Sequence, residues 1–292
     1  MCRDGRHHVT DAVPSIHAMR ALLRRLLDSL GIAAPADDVR AHLSYFVDRD
    51  TRTRNSRLRA SAPDDLPLPP PRLVYSVAGH FDVEKYYESG REHAALLRRV
   101  VEANDRRFED FRSMLDFGCG SGRVIRHWRD LAQTRLQGCD YNPRHVEWCR
   151  RALPFAGFRL NRLMPPLSYR SGEFDFIYAI SVFTHLTEEL QPVWIRELER
   201  VLAPGGLLLI TTKGRSRLDA LDEGERRRFE RGELVVQSRR YAGRNLCAAF
   251  HPERYVREHL RNGLDLLDFI QAVKGGAQTQ DIFLLEKPAS PS

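Results

Sequence analysis

Apolar positions follow two rhythms along this chain. Short, largely apolar runs end at Asp116 and occupy residues 174–180 and 207–212, and residues 135–140 read as a further short strand. Such runs suit strands buried on both faces of a parallel sheet. Between them lie stretches with apolar residues three and four apart, predicting helices over residues 123–131, from residue 143, and over 187–202. In the last, Leu190, Val193, Trp194, Leu198 and Val201 share one face, Thr187 stands at the N-cap, and Pro204-Gly205-Gly206 stops the run. Strands alternating with helices across short Gly/Pro turns give an α/β domain, an open parallel sheet covered by helices on both faces.

The flanks differ in texture. Residues 15–30 read as an amphipathic helix and residues 36–47 as a weaker one, so residues 1–49 form an N-terminal helical segment. Residues 50–71 are rich in Arg and Pro and end in Leu-Pro-Leu-Pro-Pro-Pro, which reads as a linker. Residues 72–111 hold a helix at 83–103, expected as a cap; residues 112–213 form the core. Residues 214–292 supply a charged helix at 219–231, an insert, a helix at 252–261, and terminal strands near 265–273 and 281–286.

The chemistry concentrates at Asp116-Phe-Gly118-Cys-Gly120-Ser-Gly122. Strand, glycine turn and helix start present backbone N–H groups to a ligand. The spacing is Asp-x-Gly-x-Gly-x-Gly, neither the G-x-G-x-x-G of nicotinamide and flavin sites nor a phosphate loop with its Lys. Asp140 ends the next strand, 18 residues after Gly122, where an acidic residue can accept from two ribose hydroxyls. Asn142-Pro143 then caps a helix.

With these residues, the Phe174-Asp175 strand and the Leu202-Ala-Pro-Gly-Gly206 turn, the chain resembles the Rossmann-like, class I S-adenosylmethionine-dependent methyltransferases. Residues 179–186 and 241–251 are similar to bacterial members acting in glycan or secondary-metabolite pathways. The resemblance implies a doubly wound, mostly parallel, seven-stranded sheet and S-adenosylmethionine as cofactor. It places Asp116 near the cofactor's amino group and Gly118, Gly120 and Gly122 under its methionine and ribose. It further implies Asp140 on the ribose, Tyr141 beside the adenine, Asn161 to Leu163 at the adenine edge, and Ile180 and Ser181 beside the methionine. Asn161 can accept a hydrogen bond but carries no charge, unlike the acidic residue often found there.

Methyl transfer to a hydroxyl calls for a base with a pKa near neutrality, which points to histidine. Of 11 histidines, His185, just past the fourth strand, and His251, in the C-terminal part, are the candidate catalytic residues, with His80 third. No cluster at metal-ligand spacing is evident, so no metal is expected.

Composition narrows the acceptor. The net charge is +7, but both signs are interspersed, and only the five arginines between residues 49 and 59 form a concentration. That argues against nucleic acid, and the resemblance then implies a small-molecule or glycan acceptor, methylated on oxygen. A nucleic-acid or protein methyltransferase, and a catalytically inactive scaffold of the same fold, are the alternatives. No apolar run approaches the roughly 20 residues of a membrane span. The polar N-terminus and five cysteines without a C-x-x-C pair predict a cytoplasmic, reduced protein. Residues 15–47 offer a surface for a homodimer or a pathway-enzyme partner.

Overall fold

The computed structural model describes residues 33–276 and 278–289. The chain divides into two compact units, residues 1–47 and 48–292. Of the first unit, helix α1 (Ala33–Val47) is the described part. It agrees with the helix expected at 36–47, and Val39, Leu43, Phe46 and Val47 are exposed on it. The amphipathic helix expected at residues 15–30 lies outside the described residues.

The second unit is built on one sheet. Strands β1 (Ser113–Phe117), β2 (Arg135–Asp140), β3 (Gly157–Leu160), β4 (Phe174–Ala179) and β5 (Leu202–Thr212) run parallel. A small separate sheet pairs β6 (Val235–Gln237) with β7 (Ala248–Phe250). The last strands, β8 (Asp265–Ile270) and β9 (Asp281–Glu286), join the main sheet antiparallel, giving the order β3-β2-β1-β4-β5-β9-β8. This is the expected seven-stranded, mostly parallel, doubly wound sheet. The chain winds outward in opposite directions from β1 and β4, so their carboxyl ends open a crevice.

Side chains alternate between two cores. Leu115, Ile177 and Leu208 face one side and pack on Trp194 and Leu198 of α6 (Leu190–Val201). Met114, Phe176 and Leu207 face the other and pack on Leu97 and Val101 of α4 (Val83–Glu102) and on α5 (Pro143–Ala152). Each fully buried side chain of this kind contributes about 1.5–3 kcal/mol. The remaining described helices are α2 (Arg49–Ala60), α3 (Pro71–Ala78), α7 (Glu223–Glu230) and α8 (Glu253–His259).

Two expectations are corrected. Residues 50–71 are not a linker. Asp48 caps α2 by accepting from the Thr51 N–H (2.9 Å). The buried Asn55 of α2 donates to Phe81 O (2.7 Å) and accepts from Val83 N–H (2.9 Å). Beyond α2, Asp64 receives two bonds from the guanidinium of Arg126, at 2.8 and 2.9 Å, and that Arg also donates to Leu66 O. An arginine this buried is held by a bidentate carboxylate and backbone carbonyls. The helix expected at 123–131 is a single 3₁₀ turn, Ile125–Trp128. Its anchors are Arg126 and Trp128, which stacks on Phe108 at 4.5 Å and donates to Tyr178 Oη.

The cap helix α4 meets the core by backbone contact. A Cβ on Gly90 would lie 2.0 Å from Arg123 O. Gly90→Ala should therefore destabilise the protein by about 1–3 kcal/mol, the order of an overpacked contact. Isolated helix propensity predicts the opposite sign, a gain of up to ~1 kcal/mol. Urea denaturation of the two proteins decides between them.

Candidate active site

The turn after β1 is pinned by β2. Gly118 and Cys119 N–H groups both donate to Cys139 O (2.9 and 3.0 Å), and Gly120 N–H donates to Asp140 Oδ2 (2.9 Å). Gly118, Gly120 and Gly122 all have positive φ, between 52° and 77°. At Gly120 the need for glycine is also spatial, since a Cβ would meet Val77 Cγ2 at 2.8 Å. Val77 belongs to α3, so this short helix lies over the loop.

The same helix is tied down from below. Ser76 Oγ donates to Leu73 O, so it accepts from His145 Nε2 (3.0 Å), which leaves His145 Nδ1 to accept from Ser121 Oγ (2.7 Å). Asn245 Nδ2 donates to Ser76 O (2.9 Å). The cap, the glycine loop and the segment before β7 thus meet at Ser76.

Asp116 is almost fully buried, and one of its oxygens, Oδ2, has no partner. Burial pushes its carboxyl up to about 7, against the opposing hydrogen bond with the Tyr178 hydroxyl. A carboxylate held this way gains from a cation or donor placed beside it. Asp140 uses Oδ1 for Asn142 N–H (2.8 Å) and Oδ2 for Gly120 N–H. Two further lone pairs remain, enough for two hydroxyl donors. Asn161 follows β3, its N–H on Asp140 O (3.1 Å), and its buried Oδ1 has no partner. Tyr141 and Leu163 both pack where a Cβ on Gly243 would sit, so the segment around Gly243 covers them. The structure therefore gathers Asp116, the three glycines, Asp140, Tyr141, Asn161 and Leu163 around one crevice.

Ile180 and Ser181 stand at the tip of β4. Ser181 has φ +61°. Its N–H donates to Thr211 Oγ1 (2.8 Å), and Gln280 Nε2 donates to Ser181 Oγ (2.8 Å). His185 follows in the turn Phe183–His185. Its Nδ1 lies 2.7 Å from Cys247 O, so Nδ1 carries the hydrogen and Nε2 is left as an acceptor. Burial, and after it the charge of Lys213, lower its pKa to about 4.

His251 is 0% exposed. Its Nε2 lies 3.1 Å from Gln191 Oε1, and Gln191 donates to Leu186 O. It thus backs the turn that carries His185, with its Nδ1 buried without a partner. His80 sits just beyond α3, its Nδ1 buried without a partner. Sequence reasoning missed Val77, Gln280, Lys213 and the Cys247 carbonyl. Lys213, one of four lysines in the chain and placed at a strand tip, was the one readable signal among them.

Among the described residues no group of three or more His, Cys, Asp or Glu could hold a metal ion, and no helix is long and apolar enough to cross a membrane. Hollows of about 270 and 410 Å³ lie elsewhere, one beside Arg106, Asp175 and Gly205, the other between Arg231 and Arg254.

Comparison with known proteins agrees with this geometry. Residues 115–210 match the family model described as a methyltransferase domain. The chain is 32% identical over 137 residues to a probable tRNA methyltransferase 9B of Mus musculus, covering 47% of this chain and 28% of that protein. It is 28% identical over 138 residues to a malonyl-[acyl-carrier protein] O-methyltransferase of Enterobacter lignolyticus, covering 47% and 53%. The chain thus spans about half or less of these relatives. The crystal structure of the PH0226 protein from Pyrococcus horikoshii shares the fold, with a TM-score of 0.51 at 16% identity, over 68% of this chain and 90% of that one. The unpartnered acceptors on Asp116 and Asn161, the free lone pairs of Asp140 and the bare glycine loop fit a nucleoside carrying an amino acid. Residues 115–210 thus form a methyltransferase domain of the Rossmann-like, class I, S-adenosylmethionine-dependent kind, and S-adenosylmethionine is its cofactor.

Proposed function

We propose that this protein methylates a hydroxyl oxygen of a small molecule or glycan, with His185 as general base. The observation that carries this reading is the tautomer of His185. Its Nδ1–H is fixed on Cys247 O, and the free Nε2 sits one turn beyond the tip of β4. S-adenosylmethionine, when bound, supplies a methyl group on a sulfonium, open to in-line displacement. Asp140 and Asn161 hold its nucleoside end and Asp116 its amino end, while Val77 and Gly243 close the crevice over it. His185 Nε2 accepts the proton that the acceptor hydroxyl loses as its oxygen takes the methyl group. The fixed ring orientation spares the base any search for its geometry. Retention of an unpartnered Asp116 over an open glycine loop favours catalysis over a scaffold role.

Two outcomes check the assignment. Asp140→Ala should weaken S-adenosylhomocysteine binding by about 1–3 kcal/mol, as expected when charged hydrogen bonds are lost. Calorimetry reads this directly, and an unchanged affinity removes Asp140 from the site.

His185→Ala should keep that affinity and lower turnover on the order of 10²–10⁴, measured as homocysteine release across a panel of sugar, phenol and amine acceptors. Since His185 is neutral above about pH 4, kcat/KM for a hydroxyl acceptor should be level from pH 7 to 6 and fall only as the pH drops towards 4. An amine acceptor would instead lose rate as the pH falls through the amine's own pKa.

A further inference from the structure

Lys213 follows directly on β5, two residues beyond Thr211, whose hydroxyl binds the tip of β4 at Ser181 (2.8 Å). It therefore stands on the acceptor side of the crevice, beyond the cofactor's methionine end. Its place is fixed from three sides. Its carbonyl accepts from His251 N–H (2.8 Å), it bridges to Phe250, and its Nζ sits 5.8 Å from the centre of the Phe250 ring.

Among the described residues no carboxylate pairs with this ammonium. The groups whose charge bears on it are Arg217, which is repulsive, and the thiol of Cys247. Its own charge acts on His185 and on His251. Burial pushes its pKa down to about 8. Elsewhere this protein pairs its buried cation: Arg126, fully buried where Lys213 is half-buried, receives Asp64 and two backbone carbonyls. An ammonium taken from water without a partner is costly unless a ligand supplies the partner.

Building on the reading of His185 as base, we infer that Lys213 binds an anionic group of the methyl acceptor, so the substrate is a small hydroxy acid or a phosphorylated hydroxyl compound. The site is one recessed cation against an aromatic ring, which suits a single carboxylate or phosphate. It is not the exposed stripe of Lys and Arg that tracks a nucleic-acid backbone.

The pairing also bears on the base. With Lys213 unpaired, His185 resists the proton it must take. An anion on Lys213 cancels the opposing charge, which makes Nε2 more basic only when the acceptor is seated.

The test titrates inorganic phosphate and, separately, acetate into the S-adenosylhomocysteine complex of the wild type, Lys213→Met and Lys213→Arg. Calorimetry reads the anion affinity, and ring NMR of ¹³C-labelled histidine, assigned with His185→Asn, reads the His185 titration. In the wild type and Lys213→Arg, an anion should bind and raise the pKa of His185. In Lys213→Met the affinity should fall at least tenfold and the shift disappear, with S-adenosylhomocysteine affinity within twofold of wild type as proof of folding. Binding of phosphate alone assigns a phosphorylated acceptor, and binding of acetate alone a carboxylic acid. No anion binding, or equal binding in Lys213→Met, overturns the inference. So does methylation of a tRNA transcript with turnover independent of Lys213.

These readouts need no turnover. Failure of the His185 reading, seen as full activity in His185→Ala, is therefore separable from failure of the Lys213 assignment.

Discussion

One carboxylate holds the site together. Asp140 takes the Gly120 N–H on one oxygen and the Asn142 N–H on the other. It thereby fixes both the turn after β1 and the entry to α5. The turn has three residues at positive φ, and the Gly120 bond joins the two that Gly118 and Cys119 make to Cys139 O in holding its shape. Carboxylate acceptors make these bonds stronger than neutral ones, and their burial shields them from water. The crevice owes its floor to this arrangement: β1 delivers the loop, β2 delivers the acid that clamps it, and ligand hydroxyls would meet the lone pairs left over.

The cap depends on that floor. Val77 packs on Gly120, and His145 links Ser121 of the loop to Ser76 of α3. Loop and cap are therefore one hydrogen-bonded body. The strap before the cap is part of the same construction. Asp64 pairs with Arg126, three residues after the glycine turn ends at Arg123. Arg123 in turn donates to Ser89 on α4 and lies beside Asp116. Helices α2, α3 and α4 are thus fastened through arginines to the segment that leaves the cofactor loop. This gives those arginines structural work that a count of net charge misses.

What could be read from the sequence was local or periodic. The strand 281–286 was legible to the residue because an apolar run bounded by turn residues has little freedom to be anything else, and 135–140 because it fills the gap between the glycine turn's helix start and the Asn142-Pro143 cap. The glycine spacing and Asp140 were legible because the turn constrains both at once, the glycines by their positive φ and Asp140 by the Gly120 N–H it accepts. Residues 50–71 were misread for a different reason. Four arginines and five prolines look like a solvated linker until Asn55 and Asp64 find partners 26 and 62 residues away. No local pattern encodes such pairings. The turn at 125–128 was read as a full helix because its apolar spacing fits one, while the side-chain anchors that limit it come from distant elements. His251 shows the same limit. Its position in the C-terminal part suggested the acceptor side, and no local pattern announced that its Nε2 meets Gln191, 60 residues away.

The histidine that remains carries a tension the fold itself creates. Fixing Nδ1–H on Cys247 O makes Nε2 an obligate acceptor, which a base requires. The same enclosure depresses its affinity for a proton, and Lys213 depresses it further. A base poised far below the working pH is always in its reactive form but pulls weakly on a hydroxyl proton. Neutralising a nearby cation is the least disruptive remedy, because it strengthens the base without moving it. A substrate that brings its own negative charge would apply that remedy at the moment of binding. Water, entering without charge, would leave the base weak, and the crevice would favour the charged acceptor over hydrolysis by electrostatics as well as by shape.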